Sequence, residues 1–174
     1  MKKLSKIVAL LLAGALTMLL FTACSGGGGG GSFGHRDKDE EDRAFGKFTS
    51  MTQASGLTVN DENLQAVADG HLQKDLNSSV EIFGAKLVGK VHVEGEDQKE
   101  LTITVTGSYK YGYIVNTILN EIQEEVGKKI SGTKVDVKSN GSWTKLGVVV
   151  RTDGTHSYIA VAFKVKNPNY NKNK

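Results

Sequence analysis

A single cysteine in 174 residues rules out an intramolecular disulfide, so whatever folds here must be held by an apolar core. Histidine is also scarce. His35, His71, His92 and His156 are widely spaced, no pair has HxxxH or other metal-ligand spacing, and no metal site or cofactor is expected. The glycine run Gly26 to Gly31 has neither a strand before it nor a helix after it, as a phosphate loop would require. No apolar run is long enough to span a bilayer comfortably: the longest, Ile7 to Phe21, makes roughly 22 Å of helix.

That run nevertheless has a context. Lys2, Lys3 and Lys6 precede it, and Thr22-Ala23 follow it immediately before Cys24. Basic head, apolar core and small-residue cut site are the parts of an export signal. Leu20-Phe21-Thr22-Ala23-Cys24 resembles the lipobox of bacterial lipoproteins, with Phe21 where that family prefers leucine. The resemblance implies that residues 1–23 are removed, that Cys24 carries lipid, and that the protein works outside the cytoplasmic membrane. The lipid would be its membrane partner.

Charge agrees with that division. Taking Lys2, Lys3 and Lys6 from the 22 basic residues leaves 19 against 19 acidic ones, so the mature chain is neutral. A neutral chain has no electrostatic reason to bind nucleic acid. Residues 24–41 read as a tether: six glycines, then the mixed charge run His35 to Arg43 as linker or the first turns of a helix. Residues 42–168 are enough for one domain, and 169–174 form a polar tail.

Within that domain the apolar period changes several times. Arg43 to Ala54 predicts a helix with Phe45, Phe48 and Met51 on one face, ended by Ser55-Gly56. Asn60-Asp61 caps a second, carrying Leu64, Val67, Ala68, Leu72 and Leu76 and stopping near Asn77-Ser78-Ser79. Leu87, Val91 and Val93, then Leu101, Ile103 and Val105, alternate as two half-buried strands. Val115, Ile118, Leu119, Ile122 and Val126 predict a third helix, with Gly127 as the left-handed residue beyond its end. Val135 to Lys138, Trp143 to Arg151 and Ser157 to Val165, separated by Asn140-Gly141 and Asp153-Gly154, predict a three-stranded antiparallel meander. The expected class is α+β: two helices, a hairpin, one helix, then the meander, in a sheet covered by helices.

Chemistry is hard to find in this pattern. His92 and Glu94 share one strand face and, with Glu100, are the only candidates for acid–base work; a solvated face explains them equally simply. His71 reads as a boundary residue of its helix. Tyr109, Tyr111 and Tyr113 at i, i+2, i+4 would put three rings on one side if extended, either stacking on a sugar or partner surface or packing into the strand–helix junction.

Ala54 to Asn60 with Leu64 to Ala68, and Trp143 to Val150 with Asp153-Gly154 and Tyr158 to Phe163, resemble the opening and closing segments of the SCP-like extracellular domain of the CAP superfamily. The likeness spans roughly Phe45 to Lys166. That family's cleft uses two histidines and two acids. Here Glu100 precedes Leu101 instead of asparagine, and neither Asn77-Ser78-Ser79 nor the helix after Ile114 supplies a histidine. The resemblance therefore implies a scaffold that binds envelope proteins, glycan or a small ligand. The alternative is an envelope hydrolase with a His/Glu site. A substrate-capturing transport component is disfavoured, because about 130 residues are too few for two lobes.

Overall fold

The charge run that could have been linker begins the fold. In the computed structural model, which describes residues 33–82, 84–109, 114–130 and 135–170, His35–Arg36 is a strand (β1) and Lys38–Thr49 a helix (α1). Asp37 caps α1 by accepting from the Glu40 backbone N–H at 3.1 Å, and Asp39, Glu40 and Glu41 occupy its positive first turn. The helix thus starts five residues before the expected Arg43 and ends at Thr49, with a 3₁₀ turn over Thr52–Ala54. The second helix, α2 (Glu62–Ser78), begins where Asp61 accepts from the Leu64 N–H at 3.0 Å. Two-residue strands β2 (Glu81–Ile82) and β3 (Ala85–Lys86) form a small separate hairpin. Then follow β4 (Gly89–Glu94), β5 (Glu100–Ser108), α3 (Ile114–Lys129), β6 (Trp143–Thr152) and β7 (Ser157–Lys166).

Five strands make one antiparallel sheet in the order β1-β6-β7-β5-β4. The α+β class holds, but the detailed order differs from the expected one. Val135 to Lys138 is not a strand. Its backbone groups are taken elsewhere: Asp136 Oδ1 accepts from the N–H of Lys138 and Ser139, and the Trp143 indole donates to the Val137 carbonyl at 3.1 Å. Gly141 N–H, at a positive φ of 64°, goes to Thr52 O. The free edge of β6 is covered instead by β1 and by side chains acting as backbone. Asn60 both accepts from Val148 N–H (2.8 Å) and donates to Val148 O (3.2 Å), while Glu41 accepts from Val150 N–H. Gly127 also departs from expectation. It lies inside α3, which continues to Lys128 and Lys129, whose charges suit the negative helix end.

Both faces of the sheet are covered. On one, Ile103, Val105, Val148, Val150, Val161 and Phe163 pack with Ala44 of α1 and with Leu119, Ile122 and Val126 of α3; Trp143 stacks on Phe163 at 4.0 Å. On the other, Leu64, Ala68, Leu72 and Leu76 of α2 meet Val149, Tyr158, Ala160 and Ala162. Apart from Val149 and Tyr158, the sheet presents small residues on this second face. At Gly147 an added Cβ would lie 2.5 Å from Leu64 Cβ and 2.6 Å from Gln65 N, so only glycine lets α2 approach this closely. The threonines of β5, expected on a half-wet face, are buried at Thr104 and Thr106 beneath α2.

Candidate functional site

The polar face of β4 runs beside α2, and two periodicities meet there. Residues four apart on the helix, His71 and Asp75, stand over residues two apart on the strand, Lys90, His92 and Glu94. Asp75 is only 2% exposed, and three side chains bond to it. Its Oδ2 accepts from Thr106 Oγ1 at 2.7 Å and lies 2.8 Å from His92 Nε2, while its Oδ1 is 3.1 Å from Lys90 Nζ. Burial alone would raise the Asp75 pKa; the bonds from Thr106, His92 and Lys90 outweigh it and hold the carboxyl below its ordinary range. The His71 ring stacks on His92 at 4.1 Å, and His71 Nε2 reaches Glu94 Oε1 at 3.2 Å.

His92 and Glu94 thus share the expected face, but their partners are on α2: His92 meets Asp75 and Glu94 meets His71. Glu100 is elsewhere. His92 pairs in register with Thr104, four residues along β5 from Glu100, or roughly 13 Å of strand. Glu100 instead accepts from Thr144 Oγ1 at 2.6 Å and lies 3.8 Å from Lys164 Nζ. The Tyr109 ring packs against the main core, and its hydroxyl donates to Glu40 at 2.6 Å. Burial, then the Glu40 carboxylate, push the Tyr109 hydroxyl up to about 12. Tyr111, Tyr113 and Cys24 lie outside the described residues.

As chemistry, the cluster offers a histidine–aspartate pair. Of the nearby hydroxyls, Thr106 donates to Asp75 and Ser78 accepts from Lys90, while Thr104, opposite His92 in register, is buried with its Oγ1 unpartnered among the described residues. Among the described residues no group of three or more His, Cys, Asp or Glu is arranged to hold a metal ion, and no helix is long and apolar enough to cross a membrane. Asp75 and Thr106 were not picked out from the sequence. The available signal was an aspartate inside the apolar stripe of α2, beside Leu72 and Leu76, which only fixed partners can accommodate.

A second charged constellation holds the start of the folded part. Arg36 forks onto the buried Glu41 at 2.7 and 2.6 Å. Arg151, 8% exposed, binds Asp69 through Nη2 at 2.9 Å and donates to the carbonyls of Phe33 (3.0 Å) and Gly34 (3.3 Å). No family model matches the chain, and neither a curated protein nor a solved structure matches it.

Proposed function

We propose that this chain is a bacterial lipoprotein, anchored through Cys24 outside the cytoplasmic membrane, whose folded part binds an envelope component and carries out no chemistry of its own. One observation carries the binding half of this reading. Among the described residues, the buried charges are committed to fixed partners: Glu41 to Arg36, Asp75 to Thr106, His92 and Lys90, and Arg151 to Asp69. Asp75 in particular has three donors gathered from α2's neighbours on the sheet, as suits a group that ties the helix down. The anchoring half is supported by the basic head, the apolar run and the lone cysteine at its end. The likeness to the SCP-like domain belongs to the same proposal. It rests on the two sequence segments alone.

The contact surface assigned to the partner is the pair Tyr111 and Tyr113, since Tyr109 is engaged by the core and by Glu40; tyrosines can stack on a sugar or an apolar patch. In cells, Cys24→Ala should move the protein from the membrane to the soluble fraction; unchanged membrane retention would contradict the anchor. A photo-crosslinker at Tyr111 should capture an envelope component that His92→Gln leaves bound. The His92–Asp75 contact favours a second reading, an envelope hydrolase. Loss of turnover in His92→Gln on envelope extracts, with binding retained, would establish that reading instead.

A further inference from the structure

The hairpin between α2 and β4 exposes apolar side chains that nothing in the described structure covers. Val80 is 68% exposed, Ile82 45% and Leu87 62%, and the Leu87 N–H bonds to Val80 O at 3.0 Å, so the three share one small projection. Apolar groups gathered on a projection mark a contact surface more than scattered ones do. The position of this one indicates its partner. Tyr158 lies beneath it and accepts from the Lys86 N–H at 2.6 Å. The same ring meets Phe33 edge-on at 5.0 Å. Phe33 is the first described residue, and Arg151 fixes it there through its carbonyl oxygen. Phe33, from which the sequence leads back to Cys24, and the hairpin therefore share Tyr158. Eight residues, 25–32, separate Cys24 from Phe33, a contour of at most roughly 30 Å.

We infer that the β2–β3 hairpin is a second membrane contact, inserting Val80, Ile82 and Leu87 into the bilayer interface that holds the Cys24 lipid. The inference rests on the anchor reading above. Geometry supplies the effective concentration: a surface tied within a short contour of the bilayer needs little affinity of its own to stay engaged. The charge pattern makes the contact apolar. Glu81 and Lys86 stand opposite each other in register, while the ammonium groups of Lys86 and Lys90 are engaged by Leu76 O and Asp75. Binding of this kind should be insensitive to salt, unlike that of a polybasic patch. The consequence is orientation. The α2 side of the sheet faces the membrane, and the α1/α3 side, with Tyr109, faces outward.

Acylation of Cys24 leaves no other thiol in the chain, so an introduced cysteine can be labelled alone. The lipidated full-length protein, carrying an environment-sensitive fluorophore at Ile82→Cys, is reconstituted in phosphatidylethanolamine–phosphatidylglycerol vesicles bearing doxyl-labelled acyl chains. Glu124→Cys on the far side is the control, since Glu124 is 70% exposed on α3. The doxyl groups should quench the Ile82 probe several-fold more than the control, equally at low and high salt, and Val80→Ser with Leu87→Ser should abolish the difference. Equal quenching at both sites, in protein whose intact mass shows acylation, overturns the hairpin contact and leaves the anchor standing. An unacylated chain overturns both. An Ile82 probe shielded in proportion to protein concentration and not quenched by lipid assigns the patch to a second copy, and likewise overturns the inference.

Discussion

The two faces of the sheet are built on opposite rules. Toward α1 and α3 the sheet presents large apolar side chains, and Trp143 on Phe163 is the centre of a filled core. Toward α2 it presents Gly147, Ala160 and Ala162, so the helix backbone comes close and buries a carboxylate with it. The first face is held by volume, the second by proximity and by bonds to Asp75. A polar cluster in such a place resembles a site, yet Asp75 at its centre bonds to Thr106, His92 and Lys90 and so ties α2 to the sheet. Burial of a charged group is thus weak evidence for function until its partners are counted.

Each face should fail in its own way when challenged. Trp143→Ala should cost about 4 kcal/mol, because the cavity beside Phe163 cannot collapse; denaturant unfolding would show it as a lower midpoint. Asp75→Ala should cost about 3 kcal/mol, since it removes one member of a buried ionic group and leaves Thr106 and His92 facing nothing. Removing a methyl on the first face and adding one on the second sharpens the contrast. Gly147→Ala should cost about 2 kcal/mol and shift α2, against about 1 kcal/mol for Ile103→Val, which leaves a small void. Chemical shifts along α2 would register the first and not the second. Asp61→Ala should cost about 1 kcal/mol through the lost cap on Leu64.

Acid provides a further contrast between the faces. The Asp75 carboxyl is held below its ordinary range, so its contribution is complete above the unfolded value of about 3.9 and is lost as pH falls through the folded one. Stability measured below pH 5 should therefore fall more gently in Asp75→Ala than in the unaltered chain. It should not become flat, because Asp61, Asp136 and Asp153 are also held low.

Much of the fold was legible where local signals agree. Asp61 and the Leu64–Leu76 stripe mark α2 from both directions, and Asp153-Gly154 between alternating strands marks the β6–β7 hairpin. Legibility failed where one pattern served two ends. A run such as His35 to Arg43 is polar whether it is linker or capped first turn, and the choice rests on Arg36 meeting Glu41. Val135 to Lys138 alternates like a strand, but its backbone bonds are taken by the Asp136 turn and the Trp143 indole. For the candidate site, the face shared by His92 and Glu94 follows from period two alone. Their pairing with Asp75 and His71 depends on how α2 lies across the sheet, which Gly147 and the alanines set and no local pattern records.

The proposal gives Cys24 a lipid and removes residues 1–23 ahead of it. Intact-mass measurement of the protein extracted from membranes tests that most directly. The account predicts a chain beginning at Cys24 and carrying a thioether-linked diacylglyceryl group. A chain that retains residues 1–23, or one with a free Cys24 thiol, would contradict it.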